Sequence, residues 1–220
     1  MGIYLNKLEI YLRRESVLFQ KTISAFITTY RREVVFFSLL FAIVSLLYTS
    51  TLHAPFNFDD EAVIKAQIVE LDALQANSIF YNFYPLHYRH LFYSSFIFNY
   101  SHGQLNPFGY HLVNISLHFF TLIVIFFIVL ITIEKGFSLD KKEAISIASL
   151  TTLLFSINPV HSETVNYISA RAVGMSSFFY LSALLSFILG SLRKQKQTPR
   201  FLLYILSLVC FLTSILSKET

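Results

Sequence analysis

The longest apolar stretch of the chain, residues 110–133, reads YHLVNISLHFFTLIVIFFIVLITI and contains no Asp, Glu, Lys or Arg. The hydrocarbon core of a bilayer is roughly 30 Å thick, and a helix needs about 20 apolar residues to cross it. The stretch is therefore long enough to form a transmembrane helix. It contains two histidines, His111 and His118, for which hydrogen bonding between neighbouring helices is the ordinary explanation.

The composition of the whole chain agrees with this assignment. The 220 residues are 55% hydrophobic and only 14% charged, whereas soluble domains carry about 25% charged residues. Such a composition excludes a disordered chain and a basic nucleic-acid-binding arm. It predicts an all-α integral membrane protein that lies in a lipid bilayer and has no nucleic-acid partner. The single cysteine, Cys210, excludes an intrachain disulfide and a cysteine-based metal cluster.

Four further stretches have the same apolar character. We predict five transmembrane helices, at residues 34–52, 110–133, 144–160, 173–192 and 201–216, and a long outer loop at 53–109 that carries interfacial helices. Residues 1–33 are interrupted by charges and lack the continuous apolar region of a signal peptide. They are predicted to form a cytoplasmic basic amphipathic segment ahead of a membrane domain at 34–220. The simpler alternative is an ordinary positive flank that sets topology.

The basic residues are unevenly distributed about these five predicted spans. Thirteen of the 17 Lys and Arg residues fall before span one, between spans two and three, or between spans four and five. Basic loops are retained in the cytoplasm, so we predict a cytoplasmic N-terminus and an outer C-terminus. The acidic run Phe58-Asp59-Asp60-Glu61 then lies on the outer side.

Ionisable side chains gather at the predicted outer ends of the spans. Adjacent carboxylates such as Asp59 and Asp60 disfavour joint ionisation, so one of them can act as a general base. Alternatively, the pair binds a divalent metal ion together with His161 and Glu163. The simpler explanation of these groups is helix capping. Three basic residues lie on the same predicted side: Arg89, Arg171 and Lys218. One interpretation is that they bind a phosphate, and the other is that they extend toward lipid headgroups.

Several motifs resemble those of the transmembrane and tetratricopeptide-repeat O-mannosyltransferases. In chain order they are Phe58-Asp59-Asp60, Tyr88-Arg89, Asn106-Pro107-Phe108-Gly109-Tyr110-His111-Leu112-Val113-Asn114, Pro159-Val160-His161-Ser162-Glu163, Ile168-Ser169-Ala170-Arg171 and Leu216-Ser217-Lys218-Glu219. The match runs from about Phe56 to the C-terminus. It implies the N-terminal membrane part of a GT-C glycosyltransferase fold.

The resemblance also implies an activity. Enzymes of this family transfer a sugar, typically mannose, from a polyprenyl-phosphate donor to a protein hydroxyl on the non-cytoplasmic side. By their positions in the family motifs, Asp59 and Asp60 are expected to supply the base or a metal ligand. His161 and Glu163 are expected to line the same site. The expected catalytic residues are Asp59, Asp60 and Glu163, and the expected substrate-binding residues are Arg89, His161, Arg171 and Lys218.

The length of the chain leaves two functional hypotheses open. The family adds helical repeats after its membrane part, and no repeat of that period occurs in these 220 residues. The first hypothesis is a lipid-linked-sugar-dependent glycosyltransferase, or its N-terminal part. The alternative is a non-catalytic membrane fragment or assembly partner, whose outer acids only cap helices.

Overall fold

A computed structural model of the chain describes residues 31–68, 90–192 and 197–218. These residues are mostly helical, and no strand occurs among them. The predicted all-α membrane architecture is confirmed. The longer helices are α1 (Arg31–Tyr48), α2 (Glu61–Ile68), α3 (His90–Gly103), α4 (Pro107–Ile131), α5 (Lys141–Ser156), α6 (His161–Asn166), α7 (Arg171–Leu192) and α8 (Gln197–Ser217). Helix α2 is a π-helix. Short 3₁₀ or π-helical segments continue α1 and α4 and precede α7, at Thr49–His53, Thr132–Gly136 and Ile168–Ala170.

The chain divides into two compact units, Met1–Ala42 and Ile43–Thr220. The first unit is described only from Arg31, as the beginning of α1. The rest of the predicted segment 1–33 lies outside the described residues, and so does Arg89. The second unit contains helices α2 to α8, together with every residue of the site described below.

Among residues 31–68, 90–192 and 197–218, four helical segments are long and apolar enough to cross a membrane: Arg31–His53, Pro107–Gly136, Ile168–Leu192 and Arg200–Ser217. The prediction of five such spans was wrong, because α5 is too short. Its 16 residues rise about 24 Å at about 1.5 Å per residue, against a hydrocarbon core of roughly 30 Å. Asp140 fixes its beginning by accepting a hydrogen bond from the Glu143 amide at 2.8 Å. It ends at Ser156, three residues before Pro159.

The beginning of α4 is fixed by its sequence. The side chain of Asn106 accepts a hydrogen bond from the Phe108 amide at 3.1 Å, and Pro107 occupies the first helical position. Proline is suited to that position because an N–H there would have no acceptor within the helix, so no hydrogen bond is lost. One face of the helix is buried, at positions three or four residues apart, as expected of a helix packed on one side. It is formed by Tyr110, His111, Asn114, His118, Thr121, Leu122 and Phe126.

Helices α7 and α8 form an antiparallel hairpin held by small and hydroxyl side chains. Ser176 and Ser214 are joined by a hydrogen bond between their Oγ atoms at 3.1 Å, and Ser207 Oγ donates to the Ala183 carbonyl at 2.8 Å. Near the other end of the hairpin, a Cβ added to Gly190 would meet the Tyr204 ring at 2.9 Å. Small residues allow such close approach between membrane helices.

The helices meet in a buried aromatic cluster at one end of the second unit, which we call the site end. At this end α4 and α7 begin, and α5 returns the chain toward it: the Phe155 and His118 rings lie 6.5 Å apart. The last turn of α8 reaches the same end through Ser214. The cluster consists of Ile64, Phe92, Phe96, Tyr110, Ile168 and Ala172, with Phe56 packed against it.

Candidate active site

The Asp60 carboxylate is a buried anchor at the site end. Only 2% of the residue is exposed. One carboxylate oxygen accepts hydrogen bonds from Ser169 Oγ (2.6 Å) and from the Ser169 amide (2.7 Å), and the other accepts from the Asn57 amide (3.2 Å). These bonds join the loop after α1 to the turn before α7. Asp60 therefore fixes the position of its own loop, and its carboxylate faces protein donors and is shielded from solvent.

Asp59, the other member of the acidic pair, is exposed. Its backbone amide donates to the Tyr167 hydroxyl at 3.1 Å, and its side chain is hydrogen-bonded to the same hydroxyl. Loss of solvent raises the pKa of Tyr167, and the charges of Asp59 and Asp60 raise it further. Tyr167 is thus kept protonated beside an accessible carboxylate. The two acids, equivalent in the sequence, have different environments.

Arg171 is completely buried at the beginning of α7. Its guanidinium donates to the side-chain oxygens of Asn114 and Asn99, each at 2.8 Å. It also donates to the Tyr110 carbonyl at 2.9 Å, to Ser95 Oγ at 3.1 Å and to the Ser95 carbonyl at 3.2 Å. One side chain therefore joins α3, α4 and α7.

The charge of Arg171 is stabilised without a direct ion pair in the described part of the chain. Its guanidinium carbon lies 4.2 Å from the centroid of the Phe96 ring, within the range of a cation–π contact. Asp60 attracts it from farther away. Because the N–H groups point at protein acceptors, Arg171 serves as a positioning residue here, and a phosphate-binding role for it stays a prediction.

Asn114 fixes the connection between α6 and α7. Its side-chain nitrogen lies 3.2 Å from the Tyr167 carbonyl oxygen and 3.4 Å from those of Val165 and Ile168. Its side-chain oxygen accepts from Arg171. Asn114, Tyr167 and Ser169 were not among the predicted site residues. The signal available for Asn114 was an amide within an apolar span, where an unpaired polar group is costly.

The remaining predicted site residues lie on other elements. His161 begins α6, and its ring stacks on Phe155 with centroids 4.0 Å apart and lies 5.7 Å from the His118 ring. Glu163 is exposed on the same short helix. Lys218 is half-buried just after α8, and its amide donates to the Ser214 carbonyl at 3.4 Å.

The metal interpretation has no supporting geometry within residues 31–68, 90–192 and 197–218. No three side chains of His, Cys, Asp or Glu in these ranges are grouped so that they could hold a metal ion. The oxygens of Asp60 already accept three hydrogen bonds. A divalent cofactor at Asp59, Asp60, His161 and Glu163 therefore stays a prediction.

A cavity of about 340 Å³ opens between α4, α5, α6 and α7. His161, Phe155 and His118 form one wall. The His118 ring is hydrogen-bonded to the Ser156 carbonyl, while its Nε2 has no partner among the described residues. The cavity extends along α7 from Arg171 to Leu181, about 15 Å at about 1.5 Å per residue. A volume of roughly 300–1,000 Å³ is usual for a small-ligand site.

The stability of this wall is expected to depend on pH. Burial lowers the pKa of His161, so the folded state holds its proton less strongly than the unfolded state, where the pKa is about 6.5. Acidification below about pH 6.5 therefore favours unfolding. We expect the melting temperature in detergent to fall between about pH 7 and pH 5, and His161→Phe, which keeps a ring against Phe155, to make that fall smaller.

The control for this prediction is His102→Phe. His102 is exposed on α3, and its replacement should leave the pH profile as it is in the unsubstituted protein. An equal fall for His161→Phe and the unsubstituted protein would contradict the assignment of the pH dependence to His161.

Comparison with known proteins gives a consistent group of relatives. The chain is 34% identical to protein O-mannosyl-transferase tmtc2 of Xenopus laevis over 154 residues, which is 63% of this chain and 17% of the relative. It is 29% identical to human protein O-mannosyl-transferase TMTC3 over 160 residues, 68% of this chain and 16% of the relative. With Tmtc1 of Drosophila melanogaster it shares 29% identity over 189 residues, 81% of this chain and 20% of the relative.

These relatives are much longer than the region they share with this chain, which spans between 16% and 20% of their length. No family model matches the chain, and no solved structure matches it. The resemblance predicted from the motifs is nevertheless confirmed by the matched relatives. Over the matched part of its length, the chain is similar to the protein O-mannosyl-transferases TMTC1, TMTC2 and TMTC3.

Proposed function

We propose that the chain forms the membrane part of a mannosyltransferase that transfers mannose from a polyprenyl-phosphate donor to a hydroxyl of a protein acceptor. The observation that carries this proposal is the different environment of the two adjacent acids, of which Asp60 is buried and Asp59 is exposed. Asp60 fixes the loop through Ser169, which leaves the Asp59 carboxylate exposed beside the Tyr167 hydroxyl. An accessible carboxylate on a rigid support is suited to act as a general base.

In the proposed reaction, the acceptor hydroxyl attacks C1 of the mannosyl group. Asp59 takes the proton from that hydroxyl, the bond between C1 and the phosphate oxygen breaks, and polyprenyl phosphate leaves with the bonding electrons. Cations near the leaving phosphate stabilise its charge. Lys218 and Arg89 are the candidates for this role, because the guanidinium of Arg171 already donates to protein acceptors.

We place the apolar chain of the donor in the cavity along α7. The cavity starts at Arg171, two residues from the Ser169 that holds Asp60, and continues to the level of Leu181. Its lining includes Leu117, Val173 and Leu181, which are suited to an isoprenoid chain. His161 lines the same cavity. We propose that it contacts the donor close to its phosphate-linked sugar.

We propose that the site end faces the non-cytoplasmic side. The acids Asp59, Asp60 and Glu163 belong to this end, whereas Lys135, Lys141 and Lys142 lie where α4 ends and α5 begins. The positive-inside rule favours the cytoplasm for these lysines. The end of α8 at Ser217 then faces outward with the site, and the basic residues Arg31 and Arg32 stand at the N-terminal end of the first span.

The test is donor binding and transfer by the reconstituted protein. Liposomes containing the purified chain are given polyprenyl phosphate carrying radiolabelled mannose, with a Ser- and Thr-containing acceptor peptide. We expect saturable binding that unlabelled donor displaces and that an equal concentration of free mannose does not, followed by labelling of the peptide. Empty liposomes are the control. Absence of peptide labelling, with or without donor binding, would contradict the proposal and favour a non-catalytic membrane component.

A further inference from the structure

Phe58 combines an unusual backbone conformation with an exposed ring. Its φ is 50°, in the left-handed region that residues other than glycine rarely adopt, and 90% of the residue is exposed. The conformation is held by neighbouring bonds: the Asp60 amide donates to the Asn57 carbonyl at 3.0 Å, and the Glu61 amide donates to the Phe58 carbonyl at 3.3 Å. A bulky ring is therefore presented to the surroundings at a conformational cost.

The charges beside Phe58 determine what its ring can meet. Three acidic residues follow it directly, and Asp59 is exposed. Insertion of the ring into the hydrocarbon of the bilayer would draw these acids with it, which is strongly unfavourable. The ring therefore lies at the aqueous face, one residue from the proposed base. A partner there must combine polar groups with an apolar face.

A pyranose ring has this combination, because its hydroxyls lie at the edge while its C–H groups form an apolar face. The electron-rich face of an aromatic ring attracts such C–H groups. We propose that Phe58 is a stacking platform for the mannosyl ring of the donor, which it holds beside Asp59 with C1 open to the acceptor. This inference rests on the proposed function, and it assigns to Phe58 sugar positioning and no proton transfer.

The chain contains no tryptophan, so a single substitution provides a reporter. Phe58→Trp introduces the only indole, and methyl α-mannopyranoside or polyprenyl-phosphate mannose is titrated against it in detergent. We expect a saturable change of indole fluorescence with both probes, at lower concentrations with the lipid-linked sugar. The matched control is Phe137→Trp, since Phe137 is 69% exposed in the connection between α4 and α5, and its fluorescence should not change.

Two further variants separate the ring from the fold. Phe58→Asn removes the ring but suits a left-handed backbone, so it should melt at or above the temperature of the unsubstituted protein. It is expected to weaken binding of the radiolabelled donor at least tenfold, whereas Phe58→Tyr should bind within about twofold of the unsubstituted protein. A structural role for the ring would instead lower the melting temperature of the Asn variant.

The inference is overturned if Phe58→Asn binds the donor as tightly as the unsubstituted protein. It is also overturned if an unglycosylated acceptor peptide alone changes the indole fluorescence of the Phe58→Trp variant as the sugar does. These results leave the proposed function standing when transfer continues. If sugar binding depends on the ring at position 58 but no peptide is labelled, the inference is supported and the proposed transferase function fails.

Discussion

Arg171→Met is expected to lower the free energy of unfolding of the second unit by about 3–5 kcal/mol, because it leaves several buried hydrogen-bond acceptors unpaired. The variant leaves acceptors on Asn99, Asn114, Ser95 and Tyr110 without their donor. Each buried acceptor left unpaired costs about 1–3 kcal/mol before the structure relaxes. In a chain of this size the total corresponds to a decrease in melting temperature of about 10 °C.

Arg200→Met is the matched control for this prediction. Arg200 is exposed on α8, and its guanidinium donates to the Tyr204 hydroxyl, one turn along the same helix, at 3.3 Å. An exposed substitution of this kind changes stability by about 0.5 kcal/mol or less. Both variants are melted in the same detergent by fluorescence-detected size exclusion. Equal melting temperatures would show that the network around Arg171 does not stabilise the fold.

Arg171→Lys tests the geometry of the same network. An ammonium keeps the positive charge but has three donors on one atom, so it cannot reach acceptors on α3 and α4 in the directions that the guanidinium uses. The lysine variant should therefore be much closer to Arg171→Met than to the unsubstituted protein in its melting temperature.

Asp59→Asn is expected to reduce the rate of mannosyl transfer by about 10²–10⁴, the usual contribution of a positioned general base. Asn has nearly the same shape and still accepts a hydrogen bond from the Tyr167 hydroxyl, so the loop should keep its conformation. The melting temperature should stay within about 2 °C, because an exposed substitution rarely changes stability by more than about 0.5 kcal/mol. Donor binding should also be retained.

Asp60→Asn provides the contrasting result. The new amide nitrogen would face the Asn57 amide, or the amide of Ser169 if the group is rotated, so one donor is left opposite another donor. We expect a loss of about 1–3 kcal/mol in stability, with a decrease in transfer only as large as the loss of folded protein. If the two variants exchange these behaviours, Asp60 is the base and Asp59 the support.

The sequence was sufficient to predict the membrane class and most of the helices. The stretch at 110–133 lies within the candidate span Pro107–Gly136, and 173–192 lies within Ile168–Leu192. The count of spans failed at α5, where composition alone joined the helix to the turn around Pro159. Pro159 and the capping residue Asp140 limit the length of α5 without changing the mean hydropathy of the stretch 144–160. Mean hydropathy could therefore not define the ends of this helix.

The difference between Asp59 and Asp60 could not have been predicted from the sequence. It depends on Ser169, which is 109 positions away from Asp60, and on Tyr167. The sequence identified both acids as candidates through their charge and position. Only the folded chain shows that one carboxylate is used within the protein and the other is accessible.

The contacts of Asn114 restrict how the length of this region can change. Its side-chain amide contacts the carbonyl oxygens of Val165, Tyr167 and Ile168. These contacts fix the position of the connection from α6 to α7 relative to α4. One inserted or deleted residue there would move Ser169 away from Asp60 and change the direction in which Arg171 enters α7. Fusion tags and engineered insertions should therefore be accommodated in the connection between α4 and α5, where the exposed Phe137 and Ser138 lie, and rejected between His161 and Arg171.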